Sequence, residues 1–143
     1  MTTLNIESIE DKLFRLVDHT SIIDNILTHS DAEIVKESTL YYTLEHILQL
    51  SIQIILDIGT HILAEDFHKN PKNYAEVIIE LGKQGIMSKE FAVAQEEMAR
   101  FRNKLIHDYD SVDRSKTISY GRSAPEIFRT FGQAFTEYIK KQK

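Results

Sequence analysis

The feature that most constrains the fold is a long segment, residues 31–67, whose apolar side chains recur at intervals of three and four residues. That interval matches the α-helical repeat and not the alternation of a β-strand. One polar residue recurs at every fourth position of the segment, at Glu45, Gln49, Gln53, Asp57 and His61. A helix that is apolar nearly all round is either deeply buried or shared between subunits. The polar stripe is then either the exposed edge of this helix, or Gln53, Asp57 and His61 line a polar cleft.

Helical periodicity also occupies most of the remaining chain, between a small number of breaks. Two prolines and five glycines in 143 residues leave little turn chemistry for an all-β fold. We predict helices over residues 4–29, 31–67, 74–84, 88–110 and 124–141. These segments predict an all-α fold, a single-domain up-and-down helical bundle of four to five helices over residues 1–143.

The charge of the chain excludes some classes of function. A net charge of -5 argues against a protein that coats nucleic acid or an anionic membrane by bulk attraction. The charge is unevenly distributed, because residues 114–143 hold seven basic and two acidic groups, and residues 1–113 hold ten and twenty. The basic segment is therefore a possible source of local positive charge if it folds near a cleft. Early acidic residues without a basic region, and six acidic, amide or histidine side chains within residues 44–63, predict a cytoplasmic protein without a membrane partner.

Most catalytic and metal-binding motifs are missing from the sequence. The absence of cysteine excludes disulfides, thiolate metal sites and cysteine nucleophiles. No glycine-rich phosphate loop, Gly-x-Ser-x-Gly or His-Glu-x-x-His occurs. Glu65 and His68 have the spacing of one half of a bundle-core dimetal site, which requires two such pairs, so we predict no metal site.

One candidate for chemistry remains, the octapeptide of residues 102–109. Arg102 brings a permanent charge and a forked set of donors that suits phosphate oxygens. His107 can exchange a proton near neutral pH, and Asn103 precedes it by one helical turn on the same face. A structural pairing of Arg102 with His107 is the alternative explanation, because this spacing often occurs by chance.

The helix that carries this octapeptide has an unusual third face. Between its apolar and charged faces lies a stripe of small, apolar and polar residues: Gln95, Ala99, Arg102, Asn103, Ile106, His107 and Asp110. Such a mixed stripe predicts a surface that meets a second subunit, a ligand, or both. Two copies related by a two-fold axis would bring two histidines to one site.

At this octapeptide the chain resembles the HEPN superfamily and, within it, the HepT-like toxins. Their signature is an arginine, a polar residue, three further positions, a histidine, any residue and a tyrosine. Arg102, Asn103, His107 and Tyr109 meet it in full. The central apolar helix, the spacer with Pro71, the short helix after it and the motif also follow in the family's order, over about residues 40–113.

The resemblance implies a homodimeric, metal-independent endoribonuclease that uses no cofactor. Arg102 and His107 would form the active site at the homodimer cleft, where the ribose 2′-OH attacks the adjacent phosphate and leaves a cyclic phosphate end. His107 would be the general base or acid, Arg102 would hold the phosphate, and Asn103 would support their orientation. The protein would be the toxin of a type VII-like toxin–antitoxin system. A cognate minimal nucleotidyltransferase antitoxin of the MntA type would neutralise it by transferring AMP to Tyr109.

A second hypothesis belongs to a different class of function. The chain could be a non-catalytic HEPN subunit that binds nucleotide or substrate for a two-component nucleotidyltransferase. An intact Arg102–His107 pair favours the ribonuclease, because a subunit that only binds has no need of both residues.

Overall fold

The structure is a computed structural model that describes residues 3–107 and 113–143. All secondary structure in these residues is helical. The helices in this part of the chain are α1 (Ile6–Ile26), α2 (Asp31–Lys36), α3 (Ser38–Phe67), α4 (Tyr74–Lys83), α5 (Lys89–Ala94), α6 (Glu96–His107) and α7 (Arg114–Gln142). The predicted all-α fold class is confirmed. The helices are more numerous than the four to five predicted, because two of the predicted segments are each divided.

Helix α3 is the centre of the fold. It packs against α1 and α7 and also against α4 and α6. Its buried residues include Ile54, Ile55 and Leu56, which face different sides of the helix because successive residues are rotated by about 100°. By length and composition α3 could cross a membrane, but 56% of its most apolar 18-residue window is buried inside this protein. Contacts on several sides explain why the helix is apolar nearly all round.

The predicted helices at 31–67 and 88–110 are both wrong as continuous helices. The first is divided at Glu37, whose backbone is extended (φ -87°, ψ 101°). The short helix before it, α2, is stabilised by a capping box between Ser30 and Glu33. The second is divided at Gln95 (φ -98°, ψ 7°). The break rotates the residues before it relative to those after it. Ala94 is therefore exposed, whereas a continuous helix would place it on the core face.

The predicted start of the last helix at residue 124 is also wrong, because α7 begins at Arg114. The carboxylate of Asp113 caps α7 by accepting a hydrogen bond from the backbone N–H of Ser115 at 2.8 Å. Pro125 lies inside the helix, where it removes one backbone hydrogen bond. Burial of the preceding turns against α3 compensates for this loss. At Gly121 a Cβ atom would lie 3.2 Å from the methyl carbons of Leu44, so glycine permits this close contact.

Some of the basic side chains of residues 114–143 are directed at the acidic N-terminal helices. Three of them form ion pairs that join α7 to the first two helices: Arg122–Asp31 at 2.6 Å, Arg129–Asp24 at 2.5 Å and Lys143–Glu10 at 2.9 Å. Arg122 also donates to the backbone carbonyls of Leu27 and His29. The uneven charge along the sequence therefore has a structural use in joining the two ends of the chain.

Candidate active site

Helix α6 places Arg102 against the polar stripe of α3. Arg102 is partly buried, and its Nη2 donates a hydrogen bond to Oε1 of Gln53 at 2.5 Å. Its Nη1 donates to Oδ1 of Asn103, the next residue on α6, at 3.1 Å. Two of the five N–H groups of the guanidinium therefore hold the side chain in one orientation.

The contact with Gln53 continues one turn further along α3. Nε2 of Gln53 donates to Oδ1 of Asp57 at 2.7 Å. A chain of two hydrogen bonds thus runs from the guanidinium of Arg102 through the amide of Gln53 to the carboxylate of Asp57. The stripe is more than an exposed edge at Gln53, which contacts the first residue of the motif, whereas Asp57 is exposed and reaches Arg102 only through Gln53.

A third neighbour of Arg102 comes from α4. The guanidinium carbon of Arg102 lies 5.2 Å from the ring centroid of Tyr74, within the range of a cation–π contact. Tyr74 is the first residue of α4, and Asn73 caps this helix by accepting a hydrogen bond from the N–H of Glu76 at 2.9 Å. Tyr74 is not among the site residues predicted from the sequence, because no spacing along the chain relates it to Arg102.

One donor of Arg102 is left without a partner. Its Nε is buried and makes no hydrogen bond within the described residues. An unsatisfied buried donor costs about 1–3 kcal/mol.

The other motif residues lie at the end of α6. Asn103 is exposed, and His107, one helical turn further on, is the last residue of α6. Tyr109, predicted as the site of AMP transfer, lies outside the described residues. The catalytic assignment of Arg102, Asn103 and His107 stays a prediction.

His61 contacts the N-terminal end of α1 instead of Arg102. Its Nε2 accepts a hydrogen bond from the backbone N–H of Asn5 at 3.1 Å. His61 and Asp57 line a groove of about 330 Å³ together with Asn5 and Lys12. The structure therefore brings Gln53 and Asp57 to Arg102, and joins His61 to the start of α1.

The N-terminal end of the stripe is occupied by a tyrosine. The hydroxyl of Tyr41 donates to Glu45 at 2.8 Å and lies 3.2 Å from the hydroxyl of Thr117 on α7. Burial raises the pKa of Tyr41 to about 12. The guanidinium of Arg114 lies 4.4 Å from the Tyr41 ring centroid, so the start of α7 is also anchored here.

A groove with several cations lies between α6 and α7. It has a volume of about 460 Å³, and its lining contains three basic residues, two acidic residues and two aromatic walls: Arg100, Lys104, Lys116, Glu97, Asp113, Phe101 and Tyr120. Arg100 is already paired with Glu96 and Glu97. Lys116 is thus a basic residue of the C-terminal segment that lies near the motif helix. Within residues 3–107 and 113–143, no group of three or more His, Asp or Glu side chains is arranged to hold a metal ion.

Comparison with known proteins gives a family match over most of the chain. The model of the family described as "Ribonuclease HepT-like" matches residues 16–129. A curated relative, the tRNA nuclease HepT of Aphanizomenon flos-aquae (strain 2012/KM1/D3), is 33% identical over 136 residues. That alignment covers 94% of this chain and 89% of the relative.

Solved structures with the same fold include the cytosolic protein of unknown function YutE from Bacillus subtilis. Its TM-score is 0.82 at 16% identity, over 99% of this chain and 95% of YutE. A second is the tri-AMPylated HEPN toxin of Shewanella oneidensis in complex with its MNT antitoxin, with a TM-score of 0.81 at 17% identity. This match covers 90% of this chain and 96% of that one. At such identities the similarity concerns the fold alone.

Proposed function

The chain belongs to the HepT-like ribonuclease family, and from this premise we propose that it is the ribonuclease toxin of a toxin–antitoxin pair. The observation that carries the proposal is the setting of Arg102, the first residue of a complete family motif. Gln53, Asn103 and Tyr74 hold its guanidinium, and none of these partners is an acid. The similarity to a tRNA nuclease supports tRNA as the substrate.

In the proposed reaction, His107 removes the proton of a ribose 2′-OH, and the 2′-oxygen attacks the adjacent phosphorus. The new O–P bond replaces the bond from phosphorus to the 5′-oxygen, which leaves with a proton from a second histidine. One product then ends in a 2′,3′-cyclic phosphate and the other in a 5′-hydroxyl. Arg102 binds the phosphate oxygens and stabilises their developing charge, with Asn103 as a supporting donor. The reaction as proposed requires no metal ion and no cofactor.

A homodimer supplies the second histidine of this reaction. The surface next to Arg102 contains features that suit an interface between two copies. Leu50 on α3, one turn before Gln53, is 37% exposed, and Asn103, which accepts a hydrogen bond from Arg102, is exposed on α6. A two-fold axis through this face would place both copies of α6 at one cleft.

The proposed partner is a minimal nucleotidyltransferase antitoxin that transfers AMP to Tyr109. The motif position of Tyr109, two residues after His107, supports this assignment. A nucleotide there would add bulk and negative charge next to the general base and would repel RNA. Intact-mass and peptide mass spectrometry after coexpression with such a transferase tests the assignment. AMP on another residue, or on none, would contradict it.

We also propose that the protein acts in the cytoplasm. The burial of α3, the one helix of membrane-spanning length and composition in the described part of the chain, supports this location. Fractionation of cells that carry the protein at natural levels tests it, with recovery in the membrane fraction as the contradicting result.

The experiment for the central proposal is expression of the protein without a transferase. Wild type is expected to arrest growth, and Arg102→Ala and His107→Ala are expected to be harmless. Arg100→Ala is a matched control on the same helix, because Glu96 and Glu97 already neutralise this arginine. If wild type and His107→Ala are equally harmless and purified wild type leaves RNA intact, the toxin hypothesis is wrong. The non-catalytic nucleotidyltransferase subunit is then favoured.

A further inference from the structure

We propose that Gln53 and Asp57 form a positioning relay for Arg102, which holds the guanidinium in place and leaves its charge available to RNA. Arg102 binds substrate in this account, whereas Gln53 and Asp57 act through it. The inference rests on the proposed function, because it assumes that Arg102 binds an RNA phosphate.

The orientation of the Gln53 amide is the first step of the argument. A glutamine amide has a donor end and an acceptor end, and only the acceptor can face a guanidinium. An ionised carboxylate accepts hydrogen bonds and cannot donate them. Asp57, at 2.7 Å from Nε2, therefore selects the orientation in which Oε1 faces Nη2 of Arg102 at 2.5 Å.

The charge of the partners is the second step. Three other arginines of this protein have carboxylates as direct partners, in the pairs Arg100–Glu96, Arg122–Asp31 and Arg129–Asp24. Arg102 has no carboxylate within 4.0 Å among the described residues, and an amide, a second amide and an aromatic ring hold it instead. A glutamate at position 53 would form a direct ion pair and would compete with a phosphate for the same guanidinium.

The arrangement orders the guanidinium of Arg102 without neutralising its charge, whereas an acid in direct contact with Arg102 would do both. Asp57 provides the negative group that orders the network, but the amide of Gln53 lies between it and Arg102. Contact with α3 thus fixes the guanidinium, and no neighbouring carboxylate forms an ion pair that would compete with a phosphate.

The test uses tRNA cleavage and binding by purified full-length protein carrying substitutions at positions 53 and 57. Gln53→Glu is expected to weaken RNA binding at least tenfold and to reduce the slope of log affinity against log salt by about one. Gln49→Glu is the matched control, since it adds the same charge one turn away on the same stripe. It is expected to change binding less than threefold.

The remaining variants separate orientation from charge. Gln53→Ala retains the charge of Arg102, so we expect a fall in kcat of about tenfold with an unchanged salt slope. Asp57→Asn keeps an oxygen that can accept from Gln53 and is expected to retain most of kcat, whereas Asp57→Ala is expected to resemble Gln53→Ala. Circular dichroism and urea unfolding of each variant exclude loss of folded protein as the cause.

Three results would overturn the relay: equal effects of Gln53→Glu and Gln49→Glu, wild-type kcat in Gln53→Ala, or equal kcat in Asp57→Asn and Asp57→Ala. Failure of the proposed function is distinguishable, because wild type itself would then leave RNA uncut. Nitrogen-15 NMR of the arginine side chains tests the relay in that case. The Nη groups of Arg102 should rotate slowly in wild type and faster in Gln53→Ala, and equal rotation would refute the positioning role.

Discussion

Replacement of Arg102 by lysine separates the geometry of this site from its charge. Lysine keeps one positive charge but lacks the planar fork that donates to Gln53 and Asn103. Loss of one preorganised donor at a developing oxyanion costs about 2.7–4 kcal/mol. We therefore expect kcat for RNA cleavage to fall about 10²–10³-fold in Arg102→Lys, measured in single-turnover assays with saturating enzyme.

The same substitution should change stability little. Two hydrogen bonds of a partly buried side chain are lost, each worth about 0.5–1.5 kcal/mol. The buried, unpaired Nε of Arg102 disappears at the same time, and such a group costs about 1–3 kcal/mol. The two contributions nearly cancel, so the free energy of unfolding in urea should stay within about 2 kcal/mol of the wild-type value.

The control for this experiment is Arg100→Lys, two residues earlier on α6, where the arginine pairs with Glu96 and Glu97. It should retain wild-type kcat. Arg102→Lys should also keep the salt dependence of RNA binding, because its charge is unchanged. More than half of wild-type kcat in Arg102→Lys, or an equal loss in both variants, would refute the assignment of the fork of Arg102 to the phosphate.

Three further predictions concern stability. A Cβ atom at Gly132 would have its nearest neighbour at 4.0 Å, whereas one at Gly121 would lie 3.2 Å from Leu44. Gly132→Ala should therefore raise the free energy of unfolding in urea by about 0.5–1 kcal/mol, and the value for Gly121→Ala should be at least about 1 kcal/mol lower than that for Gly132→Ala. The reverse order would contradict the packing. Ser30→Ala removes the capping box of α2 and should cost about 1 kcal/mol in the same assay, and no loss would show that the cap contributes nothing. Burial raises the pKa of Tyr41 from 10.0 to about 12, so the contribution of its neutral hydroxyl to stability is present below pH 10 and is lost as the pH rises toward 12. Tyr41→Phe should therefore lose less stability than wild type over this pH range. Identical pH profiles of stability for the two proteins would disprove the contribution.

Much of the fold can be predicted from the sequence because α3 carries a long, uninterrupted helical pattern. The breaks at Glu37 and Gln95 could not be predicted, since neither residue is a glycine or proline and apolar periodicity continues across both. Pro125 led to the opposite error, because a helix start was predicted at a position where the helix continues. It is usually found in the first turn of a helix, but here burial of the surrounding turns against α3 keeps it inside α7.

The candidate site could be predicted only in part. The motif identified Arg102, and the polar stripe, with one residue at every fourth position, identified Gln53 and Asp57 as neighbours on one face of α3. The contact between the two elements depends on the crossing of α6 over α3, which no local pattern encodes. Tyr74 was missed for the same reason, because it reaches Arg102 from the first turn of another helix.

The most direct measurement is the cleavage of purified tRNA by the purified protein in the presence of EDTA, with the product ends identified by mass spectrometry. The account predicts cleavage with 2′,3′-cyclic phosphate and 5′-hydroxyl ends, full activity in Arg100→Ala, and none in Arg102→Ala or His107→Ala. Intact tRNA, cleavage that stops in EDTA, or equal cleavage by wild type and His107→Ala would contradict it.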